Sequence, residues 1–194
     1  MELNRGIDMI LRRGIYSQRA DSETTLIPGD GTTNWVDVVG NVTTSLGKIV
    51  PNDSIQSWGS KGASFGTIPA NTDFTLEFRF VYRSGTNNTG NSMFGVSNVN
   101  LDANYTTINY AFQLFDNGGV RRLSVYENGT RNYYIGDYNY TKWDLVQIKR
   151  ESGIIKYYNN NVLIYTSMFS TFSSMVFDCA IYRDLGAEDI KIIY

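Results

Sequence analysis

Four tyrosines, Tyr133, Tyr134, Tyr138 and Tyr140, share one short run with Asn132, Asp137 and Asn139. Flat aromatic faces can cover the apolar faces of a sugar ring, and amides or carboxylates beside them can bind its hydroxyls. This run is therefore the first candidate for a carbohydrate-binding surface. The same composition also suits an aromatic-rich strand pair packed on its neighbours, and the sequence leaves both readings open. Trp58, in the Gly-rich stretch SWGSKGASFG at residues 57–66, is a second candidate of the same kind. Trp35 and Trp143 begin apolar strand patterns and read as core.

Catalytic chemistry is sparse by comparison. The chain of 194 residues contains no histidine. That excludes Ser-His-Asp and Cys-His nucleophile systems, imidazole metal sites and the commonest pH switch. Glycoside hydrolysis needs a pair of carboxylates flanking the scissile bond. Glu77 is the best lone candidate, but it alternates away from the aromatic face of its strand. Pairing with Arg79 or with a base on a neighbouring strand is the simpler role for it. The Gly-rich stretch lacks the GxxxxGK[ST] spacing and the following helix of a phosphate loop. The one cysteine, Cys179, sits in the apolar run MVFDCAIY and reads as a small buried side chain. A calcium site could draw oxygens from Asp102, Asn104, Asp116, Asn117 and Asp137, although no EF-type spacing links them. No other cofactor is expected.

Charge and composition narrow the partners. The net charge is −2 with signs intermixed, and no dense basic run marks a nucleic-acid surface. No apolar run is long enough to insert in a membrane, and residues 1–23 do not read as a signal peptide because Arg12 and Arg13 break the apolar stretch.

The elements that must position these residues are short strands. Residues 73–82, DFTLEFRFVY, place Phe74, Leu76, Phe78 and Phe80 on one face, and Thr75, Glu77 and Arg79 on the other. Residues 143–165, WDLVQIKRESGIIKYYNNNVLIY, read as a three-strand meander with turns at 151–153 and 159–161. DNGG at 116–119 and ENGT at 127–130 are hairpin signals. Strands are expected at 35–39, 93–96, 110–115, 120–126, 176–182 and 189–194, and a linker at 166–174. Ten to twelve strands with turns every 8–12 residues predict an all-β sandwich or barrel. Residues 1–27 differ, with Ile7, Ile10, Leu11 and Ile15 near helical spacing. They read as an irregular arm or first strand lying on the domain, or as a docking segment, preceding a sandwich domain at 28–194; an N-terminal strand paired with the final strand would close the sheet.

Four stretches resemble a concanavalin A-like (laminin G-like) jelly roll: WVDVVGN at 35–41, DFTLEFRF at 73–80, the meander with its closing Tyr-Thr-Ser, and VFDCAIYRDLGAEDIKIIY at 176–194. The resemblance covers roughly residues 30–194. It implies a two-sheet antiparallel sandwich and, since the family holds lectins, adhesins, virion proteins and hydrolases, says little of function. Asn160-Asn161 replaces the usual Asn-Gly of the meander turn, at small cost because Asn tolerates positive φ. Hydrolases of this fold carry E-x-D-x-x-E or E-x-D-x-E on one strand, and no such triplet is present.

Together these readings predict a non-enzymatic, lectin-like protein of a virion surface, of phage head or tail type, assembled in the host cytoplasm. Its expected partners are host surface polysaccharide, other virion proteins through residues 1–27, and further copies of itself. Two alternatives stay open. One is a structural subunit without glycan affinity. The other is a bacterial carbohydrate-binding module acting outside the cell or at its surface.

Overall fold

A computed structural model describes residues 23–86, 89–118, 120–135 and 144–194. Among the described residues, fifteen strands build two antiparallel sheets. The first contains β1 (Thr25–Leu26), β3 (Val42–Ser45), β4 (Lys48–Pro51), β6 (Phe74–Tyr82), β11 (Val146–Glu151), β12 (Ile154–Asn159), β13 (Val162–Ser170) and β15 (Leu185–Ile193). Its order is β13-β12-β11-β6-β15-β4-β3, with β1 also paired to β15. The second contains β2 (Trp35–Val39), β5 (Gly62–Ile68), β7 (Thr89–Ser97), β8 (Tyr110–Asn117), β9 (Arg121–Glu127), β10 (Thr130–Ile135) and β14 (Met175–Ala180), in the order β10-β9-β8-β7-β14-β5-β2. No helix among the described residues is long and apolar enough to cross a membrane.

Period-two alternation places the core. Along β6 every second residue from Phe74 to Phe80 is buried. The rings of Phe78 and Phe80 meet Phe94 of the opposite sheet at 5.7 and 5.5 Å. Trp35 packs edge-on against Phe65 and Phe177, as its apolar strand pattern suggests. Cys179 lies in the same core.

The turns are built by residues that accept positive φ. Asn160 and Asn161 sit at φ 48° and 64°, Ser152-Gly153 at 51° and 81°, and Asn128-Gly129 at 50° and 74°. Two consecutive positive φ values match the right-handed twist of the flanking strands in a tight hairpin. A Cβ on Gly153 would meet only the ring end of the exposed Phe172, which can shift, so it is the φ of 81° that favours glycine there.

Several boundaries differ from the sequence expectation. β13 runs to Ser170, covering the first half of the segment expected as a linker at 166–174. Its Ser/Thr/Met/Phe content is compatible with an edge strand, where exposed Met168 and Phe169 carry no burial signal. β15 begins at Leu185 rather than 189. A register shift between Glu188 and Lys191, with Asp189 at φ 55°, breaks the alternation that would have revealed its first half. By contrast, Thr25 and Leu26 pair with Ile193 and Ile192, so the end of the N-terminal segment forms the first strand expected to pair with the last one. The rest of that segment, residues 1–22, lies outside the described residues.

Candidate functional site

The outer face of the second sheet is where unlike side chains gather. Strand register lines them up in rows. Arg122 of β9 stands opposite Phe115 of β8, which stands opposite Asn91 of β7. One row along, Ser124 faces Gln113 and Gln113 faces Met93. In the next, Arg131 of β10 pairs with Tyr126, then Ala111, Gly95, Asp178 and Ser64 follow across the sheet. Gly95 has no room for a side chain, since a Cβ there would meet the Tyr110 carbonyl.

Two loops rise over one part of this face. Met93, Ile108, Ala111 and Ala180 form a small apolar cluster outside the sandwich, covered by Trp58, Tyr105 and Tyr126. Trp58 is held between Tyr105 at 4.8 Å and Tyr182 at 5.1 Å. Tyr105 in turn meets Tyr126 edge-on at 6.4 Å. The Gly-rich stretch thus works as a loop that lays an indole on the sheet.

What the loops leave open is a groove of two adjoining hollows. One, of about 160 Å³, is lined by Gln113, Phe115, Arg122, Ser124, Tyr126 and Arg131. The other, of about 260 Å³, includes Gln56, Trp58, Asn91, Phe115, Tyr182 and Arg183 in its lining. Phe115 belongs to both. Gln113 Nε2 donates to Asn91 Oδ1 at 2.8 Å, which fixes both amides at the junction. The Arg122 guanidinium lies 5.9 Å from the Phe115 ring centre. Asp116, at the rim, is spoken for: Arg121 Nε donates to its Oδ2 at 2.7 Å and the Tyr82 hydroxyl donates to the same oxygen.

Further along the Arg131 row, Asp178 is buried beside the loop of residues 98–109, whose Asp102 is an electrostatic neighbour. Ser97 Oγ donates to its Oδ2 at 2.6 Å, while Oδ1 has no hydrogen-bond partner. Burial, opposed by the Ser97 hydroxyl and the Cys179 N–H and reinforced by Asp102 and Asp37, raises its pKa to about 6.

The residues singled out from sequence scatter. Trp58 lines the groove. Tyr133 lies elsewhere, half-exposed and stacked on Tyr165 of β13 at 5.6 Å, where the free edges of the two sheets meet. Tyr134 enters as a backbone position of β10 paired with Ser124. Asp137, Tyr138, Asn139, Tyr140 and Trp143 lie outside the described residues. Glu77 is on the outer face of the other sheet, bound by Lys191 at 2.7 Å and by Gln147 at 3.0 Å. Burial pushes its carboxyl up, but those two bonds outweigh it and hold the group below the usual range. Arg79, two residues along the strand, bonds Asp189 at 3.2 Å. Among the described residues no group of three or more acidic or thiol side chains is placed to hold a metal ion. Asp102 bonds Asn104 N and Thr107 Oγ1 within its own loop.

Sequence reasoning missed Gln113, Phe115, Arg122, Tyr126 and Arg131. Their signal was present. AFQLF and RRLSVYE alternate, and their outward positions carry an amide, aromatics and a cation where small polar residues would be ordinary.

No protein-family model matches the chain, and no curated protein sequence does. Solved structures do. The exoplasmic/lumenal domain of VIP36, in its Ca²⁺/Man3GlcNAc-bound form, superposes with a TM-score of 0.56 at 12% identity, covering 88% of this chain and 87% of that one. The metal-free carbohydrate recognition domain of Emp46p gives 0.53 at 13%, covering 89% and 87%. The carbohydrate-binding module CBM66 from Bacillus subtilis gives 0.51 at 15%, covering 81% and 94%. The fold is a concanavalin A-like jelly roll. A native glycosidic hydrolase shares it with a TM-score of 0.50, so the jelly roll by itself does not separate binding from catalysis.

Proposed function

We propose that this jelly roll is a non-catalytic glycan-binding domain, and that the groove on the outer face of the second sheet is its binding surface. One observation carries this. Phe115 and Tyr126 stand beside the amide pair Gln113–Asn91 and two arginines in a shallow, half-open groove. Aromatic faces for ring carbons, amides for hydroxyls and an open trough suit an oligosaccharide better than a compact metabolite. The missing E-x-D-x-x-E or E-x-D-x-E triplet and the engagement of Glu77 by Lys191 weigh against hydrolysis on this chain.

The setting proposed is a virion surface, with residues 1–22 docking to the particle and the groove facing host polysaccharide. Two experiments test the reading. A glycan array with the purified chain should give binding that Phe115→Ala removes. A blank array sinks the glycan-binding reading. Deleting residues 2–22 should abolish incorporation into particles, and normal incorporation removes the docking role.

A second reading has its own support. Val162, Leu163, Met168 and Phe169 expose apolar surface on β13, an uncharged strand at the edge of its sheet. Unguarded edges of this kind suit subunit contacts. A blank array together with a stable oligomer in solution would favour a structural subunit.

A further inference from the structure

The two hollows of the groove share more than a boundary, because a chain of rings runs beside both. Tyr126 meets Tyr105, Tyr105 meets Trp58 and Trp58 meets Tyr182, at 6.4, 4.8 and 5.1 Å between ring centres. All four are half-buried, so each keeps part of its ring toward solvent. Tyr126 lines the smaller hollow, and Trp58 and Tyr182 line the larger. Phe115 lines both. The amide bond at the junction also spans them, since Gln113 belongs to the smaller hollow and Asn91 to the larger. In the larger hollow the charged groups are turned to the protein: Asp116 binds Arg121, and Arg183 lies against Asp184. At about 160 and 260 Å³, each hollow falls short of the roughly 300 Å³ at which pockets for single small molecules begin.

Resting on the glycan-binding reading, we infer that the two hollows act as one site for an internal stretch of a linear polysaccharide, and that chain ends are not recognised. A site that reads an end must close around it, because the terminal hydroxyls are what distinguish an end. Neither hollow closes: each is half-open to solvent, and at Phe115 each leads into the other. A single sugar fills one hollow and leaves the rings and the amide of the other bare. A chain passing over Phe115 lays consecutive residues against Tyr126 on one side and against Trp58 and Tyr182 on the other. Its hydroxyls meet Gln113 and then Asn91. Each residue added within the groove therefore adds a stacking contact, and residues beyond it add none. The rings hold one another and rest on the apolar cluster beneath them, so this surface is built before the ligand arrives.

The test uses ladders of cello-, laminari-, malto-, xylo-, chito- and manno-oligosaccharides, each running from one unit to about eight. Binding to the full chain is measured by calorimetry. For at least one ladder, affinity should rise about tenfold or more between one unit and about four, equivalent to one added stacking contact, and then level off. Reducing the terminal sugar of the longest member to its alditol, or capping the opposite end with a methyl ether, should change its affinity less than about twofold. Phe115→Ala should flatten the ladder, bringing long and short members close in affinity, with only a small fall in melting temperature. The wild-type ladder decides the matter even where that variant does not fold. A single unit that binds as tightly as the longest member, or a loss of about tenfold on altering either end, overturns the inference and leaves glycan binding standing. Binding on a glycan array with no response to any ladder does the same. Binding to neither the ladders nor the array overturns both.

Discussion

Ser97 Oγ donates to Asp178 Oδ2 at 2.6 Å beside the loop of residues 98–109, and leaves Asp178 Oδ1 buried with no hydrogen-bond partner. The Ser97 hydroxyl and the Cys179 N–H are too little solvation for a carboxylate 1% exposed, with Asp102 and Asp37 close enough to repel it. The strained partner here is the charge, and the neutral acid is the comfortable form.

That relationship sets a pH dependence. Asp178 titrates at about 6 in the folded chain against an ordinary 3.8. A raised folded pKa means the native state holds the proton more tightly. Its stabilising effect is complete below the ordinary value and is lost as pH rises through about 6. Stability should therefore increase as pH falls from about 6.5 to 5, by up to about 1.4 kcal/mol per pH unit. No histidine titrates across that window to obscure it. Below it, Glu77, Glu151, Asp30 and Asp53, all held below their usual range, reverse the trend. Urea midpoints at half-unit pH steps check this, and Asp178→Asn should flatten the slope. A slope of opposite sign between pH 6.5 and 5 would refute it.

Phe115 and Trp58 should separate binding from folding. Phe115 lines both hollows and belongs to no core cluster, so Phe115→Ala should weaken glycan binding about tenfold at a stability cost near 1 kcal/mol. Trp58 is clamped between Tyr105 and Tyr182, so Trp58→Ala should cost about 3 kcal/mol by thermal melting as well as affinity. An equal loss of stability in the two variants would contradict the assignment.

The fold was more legible in the sequence than the site, for a physical reason. Core strands such as β6 and β11–β12 announce themselves because one buried face imposes period two, and turn residues such as Asn160-Asn161 mark where the chain reverses. A surface site depends on register between strands far apart in sequence. Arg122, Phe115 and Asn91 meet only because β9, β8 and β7 align in one row, and no local pattern states that alignment. Tyrosine density drew attention to residues 132–140. Yet Tyr133 stacks on Tyr165 at the seam, showing that an aromatic run can serve packing as readily as recognition. Trp58 could be flagged by its Gly-rich flanks, but not the tyrosines from two other segments that hold it.

Arg150 explains the basic position in the meander motif. It is 1% exposed and its guanidinium donates to the carbonyls of Thr72 at 2.7 Å, Pro69 at 2.9 Å and Ser173, while lying over the Phe74 ring. It ties the segments before β6 and before β14 to β11. Arg150→Met would leave three carbonyls without their donor and should cost about 3 kcal/mol or more. Arg150→Lys keeps the charge but cannot fork to all three, so its melting temperature should fall between the other two.

Glu77→Gln should change little. Its Lys191 partner is 39% exposed, so solvent screening holds the value of the pair below about 1 kcal/mol. Gln147 can still bond the new amide. No reducing sugar should be released from any polysaccharide by either form. Turnover that vanishes in Glu77→Gln would reinstate an enzyme.

Cys179 should behave as a packed side chain and not as a thiol. Its Sγ accepts from Ala63 N and donates to Ala63 O, each at 3.3 Å, so it bridges β14 and β5 within the core. Burial pushes its pKa far up, with the neighbouring Asp178 adding to the effect. Thiolate is the reactive form, so both its scarcity and its inaccessibility protect it. A disulfide-exchange reagent at pH 8 should leave the native chain unlabelled for hours and modify one thiol per chain in denaturant. Labelling at intermediate urea should then follow the global unfolding transition. Cys179→Ala removes the sulfur's contacts and should cost about 1–2 kcal/mol. Cys179→Ser should cost at least as much, because the smaller hydroxyl keeps its bonds to Ala63 only by moving the strands together.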